Sequence, residues 1–135
     1  MNNKVVARFS DGRVLKGSTS DFVPTKDAFH VAEEGASRDT RPVTVQVKDL
    51  KAVFFVKDLA GEPERQKRNA FDPTRPAAGR KIKVVFADGE TIIGTTQGYQ
   101  PGRPGFFMVP ADAEANTERC YVVAAATKEV VLLGN

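Results

Sequence analysis

Hydrophobic positions fall in short runs separated by turn residues. KVVARF (4–9) leads through Ser10-Asp11-Gly12 into RVLKGST (13–19), and KVVF (83–86) leads through Ala87-Asp88-Gly89 into ETIIGTT (90–96). An Asp-Gly pair between β-rich runs predicts a hairpin closed by a two-residue type I′ loop, whose central residues both need positive φ. Asp11 and Asp88 are therefore read as turn residues and not as acids. Gly17 and Gly94 fall inside the second strands, where glycine allows a sharp bend or bulge. Third strands are expected around Ala28–Val31 and Gly105–Val109, and fourth strands at VTVQV (43–47) and CYVVAA (120–125). KDLK (48–51) and ATKE (126–129) each have the length of one 3₁₀ turn, ahead of the final strands AVFFV (52–56) and EVVLL (129–133). No stretch carries a sustained helical period, so the expected fold class is all-β.

The pattern occurs twice. Residues 5–56 align without a gap onto 82–133 at an offset of 77, pairing Phe9, Asp11, Gly12, Gly17, Pro24 and Phe29 with Phe86, Asp88, Gly89, Gly94, Pro101 and Phe106. A repeat of this length is a complete small unit. The expected organisation is a first five-stranded SH3/Sm-like barrel at 1–56, a basic connector at 57–81 and a second barrel at 82–135. The final strands are apolar at consecutive positions, Val53-Phe54-Phe55-Val56 and Val130-Val131-Leu132-Leu133. A half-exposed strand would alternate, so both are expected to be covered on two faces, by the other repeat or by another chain.

Charge adds a second asymmetry. Residues 1–56 carry a net +2, the connector +3 and residues 82–135 a net −2. The basic surplus makes Lys26, Arg38, Arg41, Arg65, Lys67 and Arg68 candidates for a nucleic-acid or anion-binding face. Aromatic residues that could stack on bases are few: Phe22, His30, Tyr99 and Phe107. Phe107 is expected to point outward between inward Phe106 and Met108, and with Phe54 and Phe55 it forms the candidate protein-interaction set. Phe71 is the aromatic residue of the connector, placed to pin it onto a barrel. The N-terminal stretch has no apolar signal-peptide core, and no apolar run approaches a bilayer span. A cytoplasmic location and no membrane partner are the expectation.

Enzyme chemistry has little to stand on. With one histidine, His30, a two- or three-histidine metal site cannot be assembled in one chain. Cys120, the lone cysteine, aligns with Val43 and reads as a small buried hydrophobe, so neither a disulfide nor a thiolate cage follows. Phosphate-binding Gly-rich loops are missing. Arg38-Asp39-Thr40-Arg41 offers two close arginines, but their spacing is wrong for PilZ-type cyclic-dinucleotide sensors and the second motif of those sensors is absent. No catalytic residue, metal or cofactor is expected.

FSDGRVLKGSTSDF and FADGETIIGTTQGY resemble the first half of Sm-like barrels: an Asp-Gly hairpin, a glycine-bent strand, then an aromatic residue before the third strand. Sm-like proteins form rings through edge-strand pairing and bind RNA at loops. The resemblance implies the fold but not the RNA site, because Asp27-Ala28 and Pro104-Gly105 stand where an RNA-contacting asparagine belongs. The Arg-Gly turn before the last strand is also absent. Nearly the whole chain, GFFMVPAD and NTERCYVV in particular, resembles a bacterial domain family without established activity. Two function readings follow. The first is a non-catalytic binding or scaffolding module that engages a protein partner or its own copies. The alternative is RNA, DNA or nucleotide binding through the first repeat and connector.

Overall fold

The computed structural model describes residues 3–37, 39–57, 59, 79–99, 102–111 and 117–133. Most of the connector, with Arg65, Lys67, Arg68 and Phe71, lies outside the described residues, as does Arg38. Ten strands follow one another: β1 Asn3–Phe9, β2 Val14–Thr19, β3 Ala28–Glu33, β4 Val43–Gln46 and β5 Leu50–Val56 in the first repeat. The second repeat supplies β6 Arg80–Phe86, β7 Thr91–Thr96, β8 Gly105–Pro110, β9 Thr117–Val123 and β10 Thr127–Leu132. Single 3₁₀ turns, Val47–Asp49 and Ala124–Ala126, precede the two final strands as expected, but the strands start two residues earlier than the sequence suggests, at Leu50 and Thr127. The fold is all-β among the described residues.

Every strand pairing within the first repeat recurs 77 residues later. Asn3↔Thr19 becomes Arg80↔Thr96, Val5↔Phe55 becomes Ile82↔Leu132, and Val31↔Val43 becomes Met108↔Cys120. Even the irregularity between Arg8 and Phe9 reappears between Val85 and Phe86, opposite Glu129 and Thr127. The repeat is thus a repeat of register as well as of sequence. Gly17 and Gly94 have a close-approach role. A Cβ on either would lie 2.1 Å from a backbone oxygen of the third strand, that of Ala32 or Val109. Glycine is what lets the second strand turn onto the third at that point.

The hairpin loops correct the type I′ expectation. Only Gly12 (φ 98°) and Gly89 (φ 95°) are left-handed there, and no described non-glycine residue has positive φ. The Gly12 amide donates to the Phe9 carbonyl at 3.1 Å and the Phe9 amide to the Arg13 carbonyl at 2.9 Å. This is a three-residue loop, a tight turn followed by one left-handed glycine. The aspartate stays right-handed because its carboxylate caps the loop. Asp11 accepts from the Arg13 amide, and Asp88 from the Glu90 amide, each at 3.0 Å.

All ten strands join one open antiparallel sheet in the order β10-β6-β7-β8-β9-β5-β1-β2-β3-β4. The link between repeats is β5 against β9, with Val53 opposite Tyr121 and Phe54 opposite Cys120. Two apolar cores result. One gathers Val5, Ala7, Phe29, Val31, Val45, Leu50, Val53 and Phe55 of the first repeat, and it also takes Tyr121 and Val123 of the second. The other gathers Ile82, Val84, Phe86, Phe106, Met108, Cys120 and Val122 and takes Ala52 of the first, with Phe54 packed against it. Alternate residues of β5 and β9 therefore serve opposite cores, which is the physical reason that both strands are apolar on two faces.

The two final strands part company here. β5 is covered, with Val53 fully buried and Phe55 4% exposed. β10 was expected to be covered likewise, but it is the outermost strand, and Val130, Val131, Leu132 and Leu133 are all only half-buried. What covers β5 is the fourth strand of the second repeat and not its last.

Candidate functional site

Three features carry chemistry beyond the cores: the β5–β9 junction, a surface Asp–His pair, and the two free edges of the sheet. The junction is aromatic. Phe22, in the loop after β2, sits with its ring centroid 4.9 Å from Phe29, 5.6 Å from Phe55, 5.2 Å from Tyr121 and 6.1 Å from Phe107. All four contacts are edge-on or near it, the arrangement ring quadrupoles favour. Phe107 does leave the core of its own repeat, as the alternation predicts, but it packs into the core of the other. Arg119 lies over both Phe55, at 4.4 Å, and Phe107, at 4.9 Å, so its exposed guanidinium closes the cluster by cation–π contact.

A polar strut crosses the same boundary. Lys51 of β5 is almost buried, and its ammonium donates to Asp88 at 2.7 Å and to Glu90, both on the β6–β7 hairpin. It also stands 4.7 Å from the Phe86 ring. Burial alone pulls the Lys51 pKa down, but the two carboxylates outweigh it and hold it above the ordinary lysine value. The lysine is thus charged at any physiological pH and ties the first repeat to the second. Asp88 is held below the usual carboxylate range first by its hydrogen bond from Lys51 and then by the Glu90 amide.

Asp21 and His30 form the second feature. The His30 ring Nδ1 and an Asp21 carboxylate oxygen are 2.7 Å apart, and the His30 amide and Thr19 hydroxyl donate to the other oxygen at 2.9 and 3.1 Å. The His30 contacts, ring first, lower the Asp21 pKa to about 2. The repeat equivalents are Gly98 and Phe107, so this pair belongs to the first repeat alone. It anchors the loop carrying Phe22 onto β3. The one hydroxyl in its described hydrogen-bond network is that of Thr19, which is buried and donates to the Asp21 carboxylate, not to the His30 ring. Cys120, the lone thiol, is fully buried, and burial pushes its pKa far above the ordinary thiol value. No group of three or more metal-ligating side chains occurs among the described residues.

The free edges are β4 and β10. Along β4 the Val47 amide turns inward to the Asp27 carbonyl, so by strand alternation Thr44 and Gln46 turn their backbone groups outward. Along β10 the Leu133 amide turns inward to Lys81, leaving those of Val130 and Leu132 facing out. Among the described residues no strand lies beyond either edge.

The sequence candidates divide accordingly. Phe54, Phe55 and Phe107 come together at or beside the β5–β9 junction inside the chain. Lys26 and Arg41 are exposed, on the loops that precede β3 and β4, and no described contact joins them. Arg38, Arg65, Lys67 and Arg68 lie outside the described residues. The sequence reading overlooked Arg119, Lys51 and Asp21. The signal available was the repeat itself: β9 carries Tyr121 and Val123 where β4 carries Thr44 and Gln46, which marks β9 as covered and β4 as not.

A family model described as a family of unknown function (DUF6982) matches residues 1–134. No curated protein and no solved structure matches the chain. No helix among the described residues is long and apolar enough to cross a membrane.

Proposed function

We propose that this chain, which belongs to the family of unknown function DUF6982, is a non-catalytic scaffolding module that takes polypeptide strands at the open edges of its sheet. In this reading each repeat is a small Sm-like or SH3-like barrel, curled by the glycine at position 17 or 94 and cornered by the 3₁₀ turn before its last strand. The observation that carries the reading is β10, an outermost strand with three consecutive half-buried aliphatic residues, Val130 to Leu132, and outward backbone groups. Strand addition satisfies such an edge, because main-chain bonds give affinity and alternate side chains give selectivity. A cytoplasmic setting and the absence of a catalytic role belong to the same proposal. Support for the latter is that the thiol is buried and the His30–Asp21 pair holds a loop.

The test is photo-crosslinking in cells, with benzoylphenylalanine placed at Val131 or Val43 and, as a control, at exposed Lys16 of β2, an interior strand of the sheet. Protease-sensitive adducts at the edge positions and not on β2 are the expected result. Adducts to nucleic acid, or none at either edge, would remove the reading. The alternative, nucleic-acid binding through the basic surplus of the first repeat and connector, would then be pursued through Lys26 and Arg41. Anisotropy of labelled oligonucleotides at two salt concentrations measures it directly.

A further inference from the structure

The junction inside the chain is a strand contact between two different surfaces, the last strand of one repeat and the fourth strand of the next. The repeat supplies both surfaces a second time. β10 is the last strand of the second repeat and β4 the fourth strand of the first, and these are the two strands left at the edges. We propose that β10 of one molecule pairs with β4 of a second copy, so that the β5–β9 contact is repeated between chains. The proposal rests on the strand-addition reading and names its partner.

Moving the internal register by 77 residues on each side fixes the contact. Phe54↔Cys120 becomes Val131↔Val43, Val53↔Tyr121 becomes Val130↔Thr44, and Ala52↔Val122 becomes Glu129↔Val45. Burial differs between the equivalents in the sense that pairing would remove. Val43 is 40% exposed where Cys120 is fully buried, and Lys128 is exposed where Lys51 is almost buried. In the new contact Lys128 approaches the hairpin of Asp11 as Lys51 approaches Asp88. Arg13, itself paired with Asp11, stands where Glu90 does, so the polar strut is weaker than the internal one. Charge favours the head-to-tail arrangement over like-with-like pairing, since residues 1–56 carry +2 and residues 82–135 carry −2. Two different surfaces meeting in this way extend the assembly head to tail, into a ring where the rotation closes and an open filament where it does not.

The contact is weaker than its internal model. Pro42 stands where Arg119 does and lacks the outward N–H, so one ladder bond is missing. Thr44 and Gln46 replace Tyr121 and Val123 on one face that the internal junction buries, and Glu129 replaces Ala52 on the other. Assembly is therefore reversible and concentration-dependent, and a covalent trap is the suitable probe.

Val131 and Val43 would form a non-hydrogen-bonded pair, with Cα atoms about 4.5 Å apart. That spacing suits a disulfide, and buried Cys120 does not compete. Separately purified Val43→Cys and Val131→Cys proteins are to be oxidised alone and mixed, with sedimentation of the unmodified chain alongside. The expected result is a crosslinked pair only in the mixture, and a wild-type mass that rises above 14.7 kDa with concentration. Val130→Pro, which removes an outward N–H and no internal ladder bond, is expected to return the mass to one chain with an unchanged far-UV spectrum. Crosslinks of Val43→Cys or Val131→Cys to itself alone, or a monomer at all concentrations with no mixed crosslink, would overturn the proposal. Photo-adducts to other polypeptides without the mixed disulfide would overturn self-pairing and leave strand addition standing. Absence of both would remove the two together.

Discussion

Asp21 shows how much one surface carboxylate can organise. It holds the His30 ring, the His30 amide and the Thr19 hydroxyl, and so ties the end of β2 to β3 on either side of the loop that delivers Phe22. Its pKa of about 2 lies below the 3.8 of an unperturbed aspartate. The unfolded chain therefore binds a proton at this group before the folded chain does. The stabilisation is complete above about pH 4 and is lost as pH falls through about 2, the sign expected for a depressed carboxyl. Comparing urea midpoints of wild type and Asp21→Asn from pH 6 to pH 2 tests this. The gap between them is expected to hold down to about pH 4 and then close. A gap that stays constant to pH 2 would mean that the carboxylate's charge contributes nothing to stability.

At the scale of elements, Phe22 and its repeat equivalent Tyr99 separate what a loop does for its own core from what it does for the junction. Tyr99 packs against Phe106, 4.8 Å away, as Phe22 packs against Phe29. Phe22 alone adds contacts to Phe107 and Tyr121 of the other repeat. Phe22→Ala is expected to cost about 2–4 kcal/mol, somewhat below the range for a fully buried phenylalanine, and Tyr99→Ala distinctly less. Equal losses in urea unfolding would show that the cross-repeat contacts add nothing. The elements themselves were largely legible in the sequence, because hairpin, glycine and 3₁₀ signals are local. The loop type was missed because a carboxylate cap competes with the Asp-Gly preference for a shorter turn. The partner of β5 was not legible for a different reason. Apolar residues on both faces say that a strand is covered, and Phe54 and Phe55 were found that way, but burial pattern does not name the covering strand. Lys51 and Arg119 act across distant segments and leave no local trace.

At the scale of the whole molecule, the exchange of core residues decides how the chain unfolds. The first core is incomplete without Tyr121 and Val123, and the second without Ala52 and the ring of Phe54. Separating the repeats would also uncover the apolar edge of β5 and break the Lys51 contacts to Asp88 and Glu90. Exposing that apolar strand is costly against the marginal stability of a domain this size. Each repeat alone is near the lower limit for an independent core. Both repeats should therefore unfold together, despite their separate sequences and the long connector between them. Calorimetry at low protein concentration is expected to give one transition with equal calorimetric and van't Hoff enthalpies. Phe22→Ala should shift that transition without splitting it. If pairing between chains adds to the stability, the midpoint should also rise with protein concentration in wild type and not in Val130→Pro. Two resolved transitions would mean that the β5–β9 junction is a docking contact between independent domains, and the sheet edges would then have to be judged one repeat at a time.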